Sequence, residues 1–220
     1  MAITTMHNYL DKYPINQNST RLIIGTIHPH LTDDFNIDFF YGNIGSFWDI
    51  LSNSFPERDF NTKDHIIQTL NDYNISITDM IRQCDRENEF ITEDSKLYNI
   101  IDNVGQIKEG IANSKIDTIY FTSRFGKNNA AKLFVKKFKI NYRKTFNPIM
   151  SEFTIERDVF GREIKAVVLY SPSNNANIGI SKTSPYLNNY EYYQGFKHPV
   201  KQFKIEFYKN KFIFFNDQNK

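Results

Sequence analysis

The side chains of this chain that ordinarily change charge between about pH 5 and 8 are five histidines, His7, His28, His30, His65 and His198. Their spacing makes no zinc-binding helix, His28 and His30 form only a weak pair, and a single cysteine supplies no thiolate cluster, so no metal is expected. Glycine patterns that cradle a triphosphate or a dinucleotide are absent, which argues against an ATPase or a dehydrogenase, and no cofactor is expected. Cys84 cannot form an internal disulfide and reads as a packed thiol.

The chain has 220 residues, enough for one well-buried core, and is read as a single domain over 1–220. With 40% hydrophobic residues, 20 Phe and 13 Tyr, it should pack, and some aromatic rings must reach the surface. Net charge is only +2, so composition neither demands nor excludes nucleic acid. Basic residues do gather late, in Lys132, Lys136, Lys137, Lys139, Arg143 and Lys144 and again from Lys197 to Lys211, either as solvated helix faces or as a phosphate-facing surface. No apolar run approaches the roughly 18 residues of a membrane span, and no leader pattern opens the sequence, so a soluble cytoplasmic monomer is expected.

The elements that must position any site follow from apolar runs. Leu22-Ile23-Ile24 stopped by Gly25 predicts a buried strand over Arg21 to Thr26, and similar runs predict strands at Ile75 to Ile77, Ile116 to Thr122 and Ala166 to Tyr170. Helical spacing falls between them, at Thr62 to Tyr73 and Asn129 to Phe138. Such alternation predicts an α/β fold, a three-layer α/β/α sandwich about a mainly parallel four-stranded sheet, with the ligand site beyond the carboxyl ends of the strands. Glu152 to Arg157 and Arg162 to Leu169 read as a hairpin turned at Asp158 to Gly161. Val200 to Phe212 reads as a closing amphipathic helix, with Phe212-Ile213-Phe214-Phe215 open to a strand.

Four segments carry a family resemblance. Leu22-Ile23-Ile24-Gly25-Thr26-Ile27-His28-Pro29, with Phe39-Phe40-Tyr41-Gly42-Asn43 and Phe47-Trp48-Asp49-Ile50-Leu51, is similar to the first motif of the uracil-DNA glycosylase superfamily, closest to its mismatch-specific and deoxyinosine branches. Ile75-Ser76-Ile77-Thr78-Asp79 with Cys84-Asp85-Arg86-Glu87 resembles the deoxyinosine pattern. Val167-Val168-Leu169-Tyr170-Ser171-Pro172-Ser173-Asn174-Asn175-Ala176-Asn177 is similar to the terminal motif, and Ile119 to Thr122 with Ala130 to Phe134 is a weaker match in the right order.

The resemblance implies a DNA partner and a hydrolase that flips a deaminated base, uracil or hypoxanthine, out of the stack and cuts its N-glycosidic bond. It places Gly25, Thr26 and Ile27 along the base, and Phe40 or Tyr41 beneath it as a stacking platform, unless these rings only fill core. Asp79 would read the base edge; as a carboxylate it accepts from a ring N–H, or else it caps a helix near Met80. Ser171, Ser173 and Asn177 would contact phosphates, with Arg124 and Lys127 adding charge, although a plain turn at Pro172 to Asn174 would look alike.

Two positions depart from the pattern. His28 stands where relatives carry an Asp or Asn that handles water, so the catalytic role falls on an imidazole, which could take a proton from water or, charged, stabilise the departing base. Gly45 stands where deoxyinosine enzymes tend to carry Asn, with Asn43 near but out of register. The alternative is a catalytically inactive relative that binds nucleic acid or a nucleotide in the same pocket.

Overall fold

The computed structural model of the chain describes residues 2–33 and 35–216. In chain order the strands are β1 (Ile3–Met6), β2 (Arg21–Gly25), β3 (Ile75–Asp79), β4 (Ile81–Arg86), β5 (Tyr98–Asp102), β6 (Thr118–Phe121), β7 (Glu152–Ile155) and β8 (Ile164–Val168). The helices are α1 (Phe47–Ser54), α2 (Lys63–Asp72), α3 (Val104–Ala112), α4 (Ala130–Lys137), the single turns α5 (Arg157–Phe160), α6 (Asn177–Ile180), α7 (Ser184–Leu187) and α8 (Tyr190–Tyr193), and α9 (Pro199–Lys211). They fall into two compact units, each assembled from two stretches of chain: residues 1–34 with 74–169, and 35–73 with 170–220.

The first unit is α/β. Its larger sheet has five strands in the order β3-β2-β6-β8-β7 and is mixed: β3, β2, β6 and β8 run parallel, and β7 pairs antiparallel to β8 at the edge. The expected sheet of four strands is therefore one short, because the first arm of the hairpin pairs along its whole length with the last parallel strand. Leu22, Ile24, Ile119, Phe121, Ala166 and Val168 are buried together with Ile107 and Ile111 of α3 and Phe134 of α4, which is why these strands read as continuous apolar runs. From β2 the chain reaches β3 on one side and later β6 on the other. That makes the β2–β6 boundary the topological switch point, where parallel sheets form ligand crevices.

A second, antiparallel sheet of β1, β4 and β5 was not foreseen. It also removes one reading of Asp79: after β3 the chain passes through Met80 straight into β4, so there is no helix for Asp79 to cap.

The second unit is helical and unusually aromatic. On α1, Phe47, Trp48, Ile50 and Leu51 are buried, and the helix packs on α9, where Ser54 Oγ donates to the Ile205 carbonyl at 2.9 Å. Phe47 meets Tyr208 and Phe212 edge-on, and Phe55, Phe60 and Tyr73 surround Phe215. Each such ring taken from water contributes roughly 1.5–3 kcal/mol. The run Ile213 to Asn216 forms a 3-10 turn, because these rings are drawn inward by that cluster rather than alternating across a strand. No helix among the described residues is long and apolar enough to cross a membrane.

Candidate functional site

The carboxyl ends of β2 and β3 are adjacent by register, since Gly25 pairs with Asp79. The Gly25 and Thr26 carbonyls accept from the amides of Met80 and Ile81 at 2.9 and 3.0 Å, so the two strand ends are fastened by their backbones. Thr26 is buried, and its hydroxyl donates to Asp94 Oδ2 at 2.8 Å and lies 3.3 Å from the Ser123 hydroxyl beyond β6. Ser123 Oγ in turn accepts the first amide of α4, from Ala130, at 2.8 Å. Burial pushes the Asp94 carboxyl up to about 7, with Asp79 pushing the same way and Thr26 and Arg86 opposing.

His28 is buried with both ring nitrogens engaged. Nδ1 lies 2.6 Å from the Pro29 carbonyl and so carries the proton it donates there, while Nε2 accepts the Asn8 amide at 3.0 Å. Burial holds this imidazole neutral, lowering its pKa to about 4 against the opposing Pro29 hydrogen bond. The nitrogen lone pair expected to take a proton from water is thus occupied by a backbone N–H. Arg86, itself almost wholly buried, fixes the loop by donating to the His28 carbonyl at 2.8 Å and to Thr5 Oγ1 at 2.9 Å.

Asp79 has a partner that the sequence did not reveal. His7, just beyond β1, places Nε2 2.8 Å from Asp79 Oδ2, with side chains only 1% and 5% exposed. Its Nδ1 accepts the Tyr9 amide at 3.1 Å, so Nε2 is the nitrogen left to donate to the carboxylate. The His7 ring also stands edge-on to His28 at 4.8 Å. Asn103 donates to the Asp79 carbonyl and to Thr78 Oγ1, both at 3.2 Å. Thr26, His28 and Asp79 are thereby brought together, joined by His7, Asp94 and Arg86.

Gly25 is buried and Ile27 half-buried beside Thr26. Arg124 donates to Ser151 Oγ at 3.2 Å, and Lys127 is exposed. In the second unit Phe40 is packed edge-on to Phe39 and its carbonyl accepts from Trp48 Nε1, so its faces are spent on core. Tyr41 is half-buried at φ 56°, a backbone region costly for an aromatic residue, and its ring lies 5.1 Å from Phe47.

The Ser171 to Ser173 turn is held by a buried lysine that sequence reasoning also missed. Lys204 Nζ donates to the carbonyls of Ser171, Pro172 and Ser173 at 3.4, 3.0 and 3.1 Å, and burial lowers its pKa to about 8. Ser173 is exposed, with its hydroxyl accepting the Asn175 amide at 3.2 Å. Asn177 lines a cavity of about 390 Å³ with Gly45, Asn174, Lys197, His198 and Lys201. Among the described residues no group of three or more His, Cys, Asp or Glu is placed to hold a metal ion. No protein-family model and no curated protein matches the chain.

Proposed function

We propose that this chain is a member of the uracil-DNA glycosylase superfamily, built as a three-layer α/β/α sandwich, that flips a deaminated base from DNA and hydrolyses its N-glycosidic bond. The observation that carries the reading is the buried His7–Asp79 pair at the end of β3, in register with Gly25 at the end of β2. Two segments that resemble the family's first two motifs thus end side by side at one edge of the mixed sheet. Asp79, oriented by His7, would accept a hydrogen bond from a ring N–H of uracil or hypoxanthine. Ser171, Ser173 and Asn177, with Arg124 and Lys127, would contact phosphates.

Oligonucleotides carrying uracil or hypoxanthine, single- and double-stranded, incubated with the protein and then treated with alkali, should be cut at the modified base. Intact strands at enzyme excess would overturn the reading. A second reading, a binding protein without turnover, is favoured by the full engagement of both His28 nitrogens; salt-dependent retention of the same oligonucleotides without cleavage would select it.

A further inference from the structure

We infer that Asp94, rather than His28, is the catalytic residue that takes the proton from the attacking water; this rests on the glycosylase reading above. Asp94 sits at the place the topology marks for ligands, because its partners Thr26 and Asn128 follow β2 and β6, the strands on either side of the switch point. One carboxylate oxygen, Oδ2, is anchored by the Thr26 hydroxyl, which fixes the orientation of the group. The other, Oδ1, receives no hydrogen bond from the described residues, and Asp94 as a residue is only half-buried, which leaves Oδ1 as the oxygen for a water molecule. His28 offers no such atom.

The groups that act on Asp94 are few. Asp79 on β3 raises its affinity for a proton, and Arg86 on β4 and Thr26 lower it. Cys84 on β4, a buried thiol whose own pKa is raised, feels its charge. Asn128 donates to its main-chain carbonyl at 3.0 Å, and on its own turn Glu93 and Lys96 pair with each other at 3.1 Å. Burial balances the carboxyl near neutrality, where a general base is most effective.

In the step itself, Oδ1 of ionised Asp94 accepts a proton from water while the water oxygen bonds to the sugar C1′. The C1′–N bond breaks with its electron pair passing to the base. The base anion then takes the proton from Asp94, which returns to a carboxylate, so one water has been added across the bond.

Single-turnover rates on a uracil or hypoxanthine oligonucleotide between pH 5.5 and 8.5 test this. Wild-type rates should rise through an inflection near pH 7. Asp94→Asn, which keeps an oxygen for Thr26, should lose at least roughly 100-fold and the inflection, with oligonucleotide affinity unchanged. Thr26→Val, which removes a hydrogen bond favouring the carboxylate, should move the inflection upward. Asp94→Asn protein with wild-type rates and pH profile would overturn this inference alone, whereas a wild-type protein that cuts neither substrate would overturn the glycosylase reading beneath it.

Discussion

Arg86 holds His28 by its main chain: Nη2 donates to the His28 carbonyl at 2.8 Å while Nε donates to Thr5 Oγ1 at 2.9 Å and Nη1 to the Ile91 carbonyl. One guanidinium thus satisfies acceptors from three separate stretches of the first unit. Arg86→Met should cost about 3–5 kcal/mol in urea unfolding, because it takes a charged donor from three acceptors at once, among them the buried His28 carbonyl. Arg86→Lys should recover less than half, since an ammonium lacks the planar fork. A loss below about 1 kcal/mol for the methionine variant would contradict this account.

The neutral state of His28 makes acid a destabilising condition. Folding lowers its pKa from 6.5 to about 4, so between those values the unfolded chain binds more protons. The stabilisation is present in full above pH 6.5 and is lost as pH falls through 4. His28→Asn should reduce the dependence of unfolding free energy on pH across this window by roughly 2–3 kcal/mol, measured by denaturant titration at pH 7 and pH 4.

Asp94 acts with the opposite sign. Its carboxyl is raised from 3.8 to about 7, so the folded protein holds a proton that the unfolded chain releases, and stability falls as pH climbs through that interval. Asp94→Asn should flatten this slope and unfold at a higher temperature than wild type at pH 8, which scanning calorimetry would show without any substrate.

Lys204 ties the Ser171 to Ser173 turn to α9 through three carbonyls. Lys204→Met keeps the buried methylene stem and removes the donors. Amide hydrogens of Ser173 to Asn177 should then exchange faster, and the protein should lose about 1–3 kcal/mol. Unchanged exchange there would show that the turn holds itself.

Two glycines should respond in opposite directions to the same change. A Cβ on Gly42 would sit 1.7 Å from the Ile37 carbonyl oxygen, so Gly42→Ala should cost more than about 2 kcal/mol. A Cβ on Gly105, inside α3, would meet nothing within 4 Å, and Gly105→Ala should stabilise by about 0.5–1 kcal/mol in urea titration.

The four parallel strands were readable because each is buried on both faces and so spells a continuous apolar run, as Leu22-Ile23-Ile24 does. The helix over Lys63 to Asp72 announced itself by its apolar spacing, and in the structure the Thr62 side chain caps it by accepting the His65 amide. The second sheet was hidden by the polarity of β4, Ile-Arg-Gln-Cys-Asp-Arg, and by pairing at a distance, with Ile3 opposite Arg86. Distance hid the site's chemistry too. His7 and Asp79 are 72 positions apart, and Asp94 lies in Glu93-Asp94-Ser95-Lys96, which reads as an exposed charged turn until Thr26 is seen against it. His28 was visible, but the backbone groups that occupy its nitrogens were not.

The pairing of α1 with α9 has a consequence for how the chain is made. Ser54 and Ile205 are 151 positions apart, so a nascent α1 emerges with its Phe47 and Trp48 face bare and waits for its partner helix. At ribosomal rates that interval is roughly 8–30 s, far longer than collapse or helix formation. During synthesis the aromatic face of α1 is therefore a natural handle for a chaperone and the first place from which the newborn chain would aggregate.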